Sequence, residues 1–383
     1  MINTDFKLGI LGGGQLGKML ALAAGNWDLP IWSMDKTADF PAAPYSTKFI
    51  EGNFKDYDDV YNFGKKVDIL TIEIEHVNTD ALLQLEKEGL TVHPSPSRLN
   101  IIKDKGLQKQ FYVDHNLPTA DFSLYDGAEA IRTAVKAGTL TLPFVQKSRG
   151  GGYDGKGVAV IKTAQDLAEK LLPAASMVEP LVDIDKELAV VAARNADGEI
   201  KAFPTVEMEF NPTANLVEFL VCPADISAEV EQKATEIALK TIEAYEICGL
   251  LAVELFLTKS GDILINEVAP RPHNSGHHTI DSCYTSQFQQ HLRAVLNWPL
   301  GDTTMKTPSV MVNLLGTEGH TGTAHYAGLG EVLQLPGVNL HLYGKKITKP
   351  FRKMGHATVT APTTEEAKKI AKAVQQKLVI CTE

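Results

Sequence analysis

Hydrophobic and polar positions in the first hundred residues predict strands separated by helices. Short apolar runs at residues 7–11, 29–34 and 67–75 indicate strands, and residues 16–24 place apolar side chains at helical spacing. A further short strand at residues 91–93 precedes two prolines. This βαβ order predicts an α/β fold that begins with a mostly parallel sheet.

The pattern changes after residue 100, where longer helices and hairpins are predicted. Helices are expected at residues 98–113, 164–172, 229–246 and 364–376, and a strand at 176–181. One hairpin pairs residues 187–194 with 201–206, and a second pairs 250–257 with 263–268. These later strands therefore predict antiparallel pairing, unlike the N-terminal sheet.

Composition describes an ordinary globular protein. The chain has 383 residues, 44% hydrophobic and 22% charged, a length that suggests two or three domains. No apolar run reaches 18 residues, and the N-terminus lacks the features of a signal peptide. The four cysteines are scattered without a CxxC motif. We therefore expect reduced thiols, a cytoplasmic location and no membrane partner.

The net charge of −10 limits the choice of ligand. Nucleic-acid binding requires a broad basic face, so we exclude nucleic acid as a partner. A small phosphorylated ligand remains compatible, because it needs only a few local cations and backbone N–H groups.

A glycine loop with the sequence GGGQLG occupies residues 12–17, between a predicted strand and a predicted helix. It fits GxGxxG, and Asp35 ends the next strand, as in dinucleotide-binding folds. That spacing alone is a weak signal, because exposed N–H groups at a helix start favour any anion. We predict that this loop binds a phosphate monoester, with an NAD-dependent oxidoreductase as the alternative.

A second glycine-rich segment carries stronger evidence for a nucleotide. Residues 145–157 read VQKSRGGGYDGKG, which lacks the Walker spacing but places Lys147 at a strand end, before the glycines. Glycines at this density let backbone approach a ligand and predict a lid. The strand around Glu179 and the following Glu187 offer an apolar slot and a carboxylate for adenosine.

Two acids in apolar strands suggest a metal. Glu254 lies in one strand of the second hairpin and Asn266-Glu267 in the other. Acids are costly to bury without a cation, and Mg²⁺ prefers carboxylate oxygens. We expect Mg²⁺, with Mn²⁺ as an alternative, bound by Glu254 and Glu267.

In this order these residues resemble the ATP-grasp superfamily. Three stretches resemble its N5-carboxyaminoimidazole ribonucleotide synthetase family: GGGQLG at 12–17, GGYDGKG at 151–157 and APRPHNSGH at 269–277. The resemblance runs nearly end to end. It implies an N-terminal Rossmann-like pre-ATP-grasp domain at 1–100, an ATP-grasp domain at 101–300 with a lid at about 115–180, and a small β-rich C-terminal domain at 301–383.

The resemblance also implies a site for each substrate. ATP contacts are expected from Lys105, Lys147, Gly152, Tyr153, Asp154, Gly155, Lys156, Gly157, Glu179, Pro180, Leu181, Val182, Glu187, Glu207, Asn266 and Glu267. Ribonucleotide contacts are expected from Gly14, Gln15, Leu16, Glu73, Arg271, His273, Asn274, Lys345, Arg352 and Lys353. Catalysis is expected from Tyr153, Arg271, His273 and Asn274, with His273 a candidate proton carrier.

The implied reaction is carboxylation of aminoimidazole ribonucleotide in purine biosynthesis, using ATP and bicarbonate through carboxyphosphate. The expected partners are these small molecules and a second copy in a homodimer. The chain departs from the family around residues 207–216, which makes Glu207 less secure, and Lys105 stands where relatives carry arginine. The alternatives are a formate-dependent glycinamide ribonucleotide transformylase, opposed by residues 271–277, and a non-catalytic nucleotide sensor.

Overall fold

The computed structural model describes residues 3, 5–151, 157–210 and 217–383. In its N-terminal part, strands and helices alternate as predicted: β1 (Leu8–Leu11), α1 (Gln15–Gly25), β2 (Ile31–Asp35), β3 (Lys48–Glu51), α2 (Tyr57–Gly64), β4 (Ile69–Ile72), α3 (Thr79–Lys87), β5 (Thr91–His93) and α4 (Pro96–Lys103). All five strands are parallel in the order β3-β2-β1-β4-β5. The predicted Rossmann-like sheet is confirmed.

The strand order reverses direction between β1 and β4, which lie side by side. In open parallel sheets, ligands bind at such a switch point, beyond the carboxyl ends of the strands. The glycine loop follows β1 and Glu73 follows β4, so this topology brings them together. The apolar strands are covered on both faces, as parallel strands require.

The next segment contains α5 (Lys105–Asp114), β6 (Ser123–Tyr125), α6 (Ala128–Lys136), β7 (Phe144–Ser148), β8 (Val158–Ile161), α7 (Ala164–Glu169) and β9 (Ser176–Pro180). The single helix predicted at 98–113 is two helices. Asp104 separates them, and its carboxylate caps α5 by accepting from the N–H groups of Gly106 and Leu107. The strands form an antiparallel sheet in the order β6-β9-β7-β8.

The third segment supplies β10 (Ile184–Arg194), β11 (Ile200–Ala202), β12 (Val206–Phe210), β13 (Val217–Cys222), α8 (Ala228–Tyr245), β14 (Gly249–Thr258), β15 (Ile263–Ala269), α9 (Thr279–Ser282) and α10 (Gln287–Val295). Both predicted hairpins form. The second strand of the first hairpin is shorter than predicted, because the chain leaves β10 at Ala202 and returns to it as β12.

The C-terminal segment contains β16 (Ser309–Leu315), β17 (Gly322–Thr323), β18 (His325–Ala327), α11 (Leu329–Val332), β19 (Val338–Leu342), β20 (Ile347–Thr348), β21 (Lys353–Thr360), α12 (Thr364–Lys377) and β22 (Val379–Cys381). Three of these strands continue the sheet of the third segment, in the order β15-β14-β10-β12-β13-β16-β21-β19 with β11 beside β10. The β-rich C-terminal segment thus extends the central sheet. Among the described residues, no helix is long and apolar enough to cross a membrane.

Candidate active site

Three acids share one face of the central sheet. Glu254 on β14 lies directly opposite Glu267 on β15, and Glu187 on β10 lies opposite Phe256, two residues beyond Glu254. Opposed residues and residues two apart project from the same face of a sheet. The register therefore places Glu187, Glu254 and Glu267 together.

A β-bulge brings Asn266 to the same face. The pairing of β14 with β15 shifts between Glu254 and Leu255, so Asn266 and Glu267 together oppose Glu254. A bulge of this kind lets two consecutive side chains point the same way. This explains how Asn266 and Glu267 can both reach the site although strand side chains normally alternate.

Lysines from other elements approach this face. Lys147, on β7, donates a hydrogen bond to Asn266 Oδ1 at 2.8 Å and pairs with Glu179 on β9. Lys105, at the start of α5, pairs with Glu267. The site therefore lies between the four-stranded sheet and the central sheet.

Burial makes Glu254 and Glu187 harder to ionise than ordinary carboxyl groups, despite the nearby lysines. Burial raises the pKa of Glu254 to about 8, reinforced by the charges of Glu267 and Glu187. Burial likewise raises the pKa of Glu187 to about 7, against the opposing charge of Lys147. A divalent cation beside these acids would favour their charged forms, and hard carboxylate oxygens suit Mg²⁺. Within the described ranges no group of three or more His, Cys, Asp or Glu side chains could hold a metal ion.

Glu207 does not belong to this group, which corrects the sequence prediction. Glu207 lies opposite Leu188, on the face of the sheet that packs against α8. Its carboxylate pairs with Lys186 Nζ at 2.8 Å. Because strand side chains alternate, Glu207 points away from the face that carries Glu187 and Glu254.

The loop that follows β15 places a second group of side chains beside the acids. Arg271 Nη2 pairs with Glu75 Oε1 at 2.7 Å, and His273 Nε2 lies 3.5 Å from Glu254 Oε1. Asn274 begins a short 3-10 helix, Asn274–Gly276, at the end of the loop. Arg271 and His273 thus each lie beside an acid, and Asn274 follows them in the same loop.

His273 is a neutral side chain in this environment. Burial, together with the charges of Arg271 and Lys353, lowers its pKa to about 3. Its Nδ1 accepts from the Ser275 N–H at 3.4 Å, which leaves Nε2 as the protonated nitrogen facing Glu254. A pKa this low favours a role for His273 in orienting groups over the role of a proton carrier at neutral pH.

The N–H groups of the glycine loop bind a carboxylate of the protein itself, that of Glu73. The N–H groups of Gly14 and Gly17 donate to the two oxygens of Glu73 at 2.5 and 2.6 Å. Burial raises the pKa of Glu73, although both N–H groups favour its charged form. A phosphate at these N–H groups would have to displace Glu73. Gln15 and Leu16, which were also expected to contact the ribonucleotide, are the first two residues of α1.

Asp35 is engaged as well, which weakens the dinucleotide alternative. Its carboxylate is 2% exposed and accepts from the N–H groups of Gly13 and Lys36, both at 2.7 Å. A ribose-binding acid must present a free oxygen to its ligand. Asp35 instead fixes the first turn of the glycine loop.

The predicted cations of the C-terminal segment lie on β21 and in the loop before it. Lys353 begins β21, and its charge contributes to the low pKa of His273. Lys345 Nζ donates to the carbonyl of Lys353 at 2.7 Å, and Arg352 Nη1 donates to the carbonyl of Ile347 at 2.6 Å. The three predicted cations therefore occupy one short region.

Several of the expected nucleotide contacts lie in the glycine-rich segment after β7 and in the connection between β9 and β10. Gly152, Tyr153, Asp154, Gly155 and Lys156 lie outside the described residues. Gly157 has a φ of +81° and its carbonyl accepts from the Ser148 N–H, which closes the β7–β8 hairpin. β9 ends at Pro180, so Leu181 and Val182 form the connection between the two sheets.

Three side chains of the site were not predicted from the sequence. Glu75 anchors Arg271, and Lys109 pairs with Glu179 Oε2 at 2.9 Å. Gln287, fully buried at the start of α10, accepts from the His273 N–H at 2.9 Å and donates to the His273 carbonyl at 2.7 Å. Glu75 could have been found from its alternation with Glu73 after β4, whereas nothing in the local sequence distinguishes Lys109 or Gln287.

Comparison with known families agrees with this architecture. Residues 110–288 match the ATP-grasp domain, residues 6–103 the ribonucleotide synthetase preATP-grasp domain, and residues 309–370 the phosphoribosylaminoimidazole carboxylase C-terminal domain. The two facing sheets, the acids and the opposing lysines thus define an ATP-grasp protein.

Individual relatives give a finer assignment. N5-carboxyaminoimidazole ribonucleotide synthase from Bacillus subtilis is 36% identical over 363 residues, covering 94% of this chain and 92% of the relative. The chain belongs to the N5-carboxyaminoimidazole ribonucleotide synthase family. It spans only 64% of the chloroplastic phosphoribosylaminoimidazole carboxylase of Vigna aconitifolia, to which it is 39% identical.

Solved structures of the family are closely similar. The N5-carboxyaminoimidazole ribonucleotide synthetase of Thermotoga maritima has a TM-score of 0.90 and 41% identity, covering 99% of this chain and 100% of that one. The Aspergillus clavatus N5-carboxyaminoimidazole synthase, in complex with ADP and 5-aminoimidazole ribonucleotide, has a TM-score of 0.88 and 32% identity, covering 98% of this chain and 99% of that one.

Proposed function

We propose that the protein is a ligase that carboxylates 5-aminoimidazole ribonucleotide on its exocyclic amine, with ATP and bicarbonate as co-substrates, in purine biosynthesis. The observation that carries this proposal is the junction of two groups: the Glu254–Glu267 pair with its lysines, and the adjoining Arg271–His273 loop with Lys353. The fungal relative described as a complex with ADP and 5-aminoimidazole ribonucleotide supports the same pair of ligands.

ATP would lie between the two sheets. Lys147 and Lys105 would bind its phosphates, since both ammonium groups face the acid cluster. The connection at Leu181 and Val182 would present backbone groups to adenine, and Glu187 would accept from the ribose hydroxyls. Mg²⁺ on Glu254 and Glu267, when bound, would neutralise the charge that develops on the phosphates.

The γ-phosphoryl group would pass from ATP to a bicarbonate oxygen, giving carboxyphosphate and ADP. Arg271, held by Glu75, would bind the carboxylate end of bicarbonate with its planar fork. The substrate amine would then attack the carboxyl carbon, the carbon–oxygen bond to phosphate would break, and the nitrogen would lose a proton. Neutral His273 would hydrogen bond to a reactant through Nε2–H.

The ribonucleotide would enter from the side of the N-terminal sheet. Glu73 lies at the switch point of that sheet, where it would accept hydrogen bonds from the substrate. Arg352 and Lys345 would contact the 5′-phosphate, because they lie in the same short region as Lys353. The N–H groups of the glycine loop would contribute only where Glu73 leaves them accessible.

The test is ADP release measured with and without aminoimidazole ribonucleotide and bicarbonate. We expect release to require all three substrates, with the carboxylated amine detected by incorporation of labelled bicarbonate. ADP release that depends on formate and glycinamide ribonucleotide would support the transformylase alternative instead. Sedimentation of the purified protein would test the homodimer that we also expect.

A further inference from the structure

A buried lysine lies behind the proposed nucleotide site. Lys109, on α5, is 2% exposed, and its Nζ donates to Thr119 Oγ1 at 2.5 Å. The Thr119 hydroxyl in turn donates to the carbonyl of Ile265 on β15 at 3.1 Å. The ammonium group is therefore fixed between α5 and the strand that carries Asn266 and Glu267.

Glu179 is shared between this lysine and Lys147. One carboxylate oxygen lies 2.9 Å from Lys109 Nζ, and the other pairs with Lys147. The Glu179 side chain is 4% exposed and the Lys109 side chain 3%. Two ammonium groups and one carboxylate leave the triad with one net positive charge, and Lys147 is the member that reaches the acid face through Asn266.

We propose that Lys109 is a positioning residue that offsets the charge of Glu179 and so leaves the charge of Lys147 available to the nucleotide phosphates. This inference rests on the proposed nucleotide site. If Lys109 were absent, Glu179 and Lys147 would form a neutral buried pair, and separating that pair to bind phosphate would be costly at low local dielectric. Lys109 itself does not contact the nucleotide in this arrangement.

The triad also holds Glu179, which the sequence analysis expected only as one of the ATP contacts. Each of its oxygens faces a lysine, and the side chain is 4% exposed, so the carboxylate is held in the triad away from solvent. Burial alone would raise the pKa of Glu179, but the charges of Lys147 and Lys109 hold it below its ordinary value. Glu179 is therefore a fixed negative charge that needs a partner other than Lys147.

The experiment measures ADP binding by calorimetry at constant magnesium, without ribonucleotide. Lys109→Met keeps the length of the side chain and removes its charge, and we expect ADP affinity to fall about tenfold, or about 1.4 kcal/mol. Adding Glu179→Gln removes the charge that would capture Lys147. We expect this double variant to bind ADP within about threefold of the wild type.

Recovery in the double variant separates charge balance from a purely structural role. Lys136→Met, which removes an exposed lysine from α6, controls for net charge and should bind ADP normally. Wild-type affinity in Lys109→Met would overturn the proposal, and so would a double variant that remains about tenfold weak. If Lys109→Met does not fold, the double variant still tests the proposal, because a double variant that binds ADP about tenfold more weakly than the wild type would overturn it.

The assay also separates this proposal from the proposed reaction. A wild-type chain that binds ADP but does not turn over aminoimidazole ribonucleotide would refute the reaction and leave the triad testable. A wild-type chain that does not bind ADP would refute both.

Discussion

Replacing Gln287 with glutamate should expose how the Arg271–His273 loop is held. Gln287 Nε2 donates to the His273 carbonyl at 2.7 Å and contacts His277 Nδ1 at 2.9 Å, while Oε1 accepts from the His273 N–H. Gln287→Glu keeps the shape and the acceptor but replaces both donors by an oxygen. His277 can relieve one contact by moving its proton to Nδ1, whereas the carbonyl of His273 cannot.

The cost of this change should depend on pH. A carboxylate beside a carbonyl in a fully buried position is disfavoured, so the folded-state pKa of the new acid should rise above its unfolded value of about 4.3. The unfolded state then loses its proton first, and stability falls as pH rises from about 4.3 toward the folded-state pKa. A rise of about 2 pKa units would cost about 3 kcal/mol at full ionisation, in addition to about 1 kcal/mol for the lost donor.

Urea unfolding at two pH values measures this effect. We expect Gln287→Glu to be destabilised by about 2.5 kcal/mol at pH near 5.5 and by about 4 kcal/mol near pH 8. Turnover should fall more than ADP affinity, because the loop borders the acceptor substrate. Gln289→Glu, on the same helix, is the matched control: its side chain already accepts the Ser286 N–H in a capping box, so a carboxylate should be tolerated. A pH-independent penalty equal to that of the control would refute the reasoning.

Three further variants test the rest of the site. Glu267→Gln should nearly abolish turnover with an unchanged unfolding midpoint, because it removes a carboxylate charge that is expected to bind Mg²⁺. The control Glu207→Gln, on the opposite face of the sheet, should retain activity. Normal ADP release by Glu267→Gln would exclude Glu267 as a magnesium ligand. Arg352→Ala should raise the KM for the ribonucleotide about ten- to hundredfold and leave the KM for ATP unchanged. Replacement of the exposed Lys346 by alanine is the control and should change neither KM. Equal effects of Arg352→Ala on both substrates would place Arg352 outside the site of the ribonucleotide 5′-phosphate. NADH titration should show no binding at millimolar levels, and tight binding that is lost on Gly14→Val would restore the dinucleotide alternative.

Much of the fold follows from local sequence pattern. Apolar runs of strand length, glycine loops after strands and helices with clear apolar spacing each depend on neighbouring residues, and their positions agree with the structure to within a few residues. The same holds for the acid pair, because Glu254 and Glu267 stand out as charges within otherwise apolar strands. The motif at residues 269–277 likewise indicated the loop beside them.

Contacts between distant residues were decided only by tertiary structure. The register of β12 turns Glu207 to the opposite face of the central sheet, and a bulge in β15 turns Asn266 toward the site. Neither feature can be read from the two-residue alternation of side chains along a strand. The adjacency of β1 and β4 let Glu73 occupy the N–H groups of the glycine loop. Lys109 and Gln287 resemble any polar helix residue in sequence, and only burial against a charged or hydrogen-bonding partner far along the chain gives each one its role.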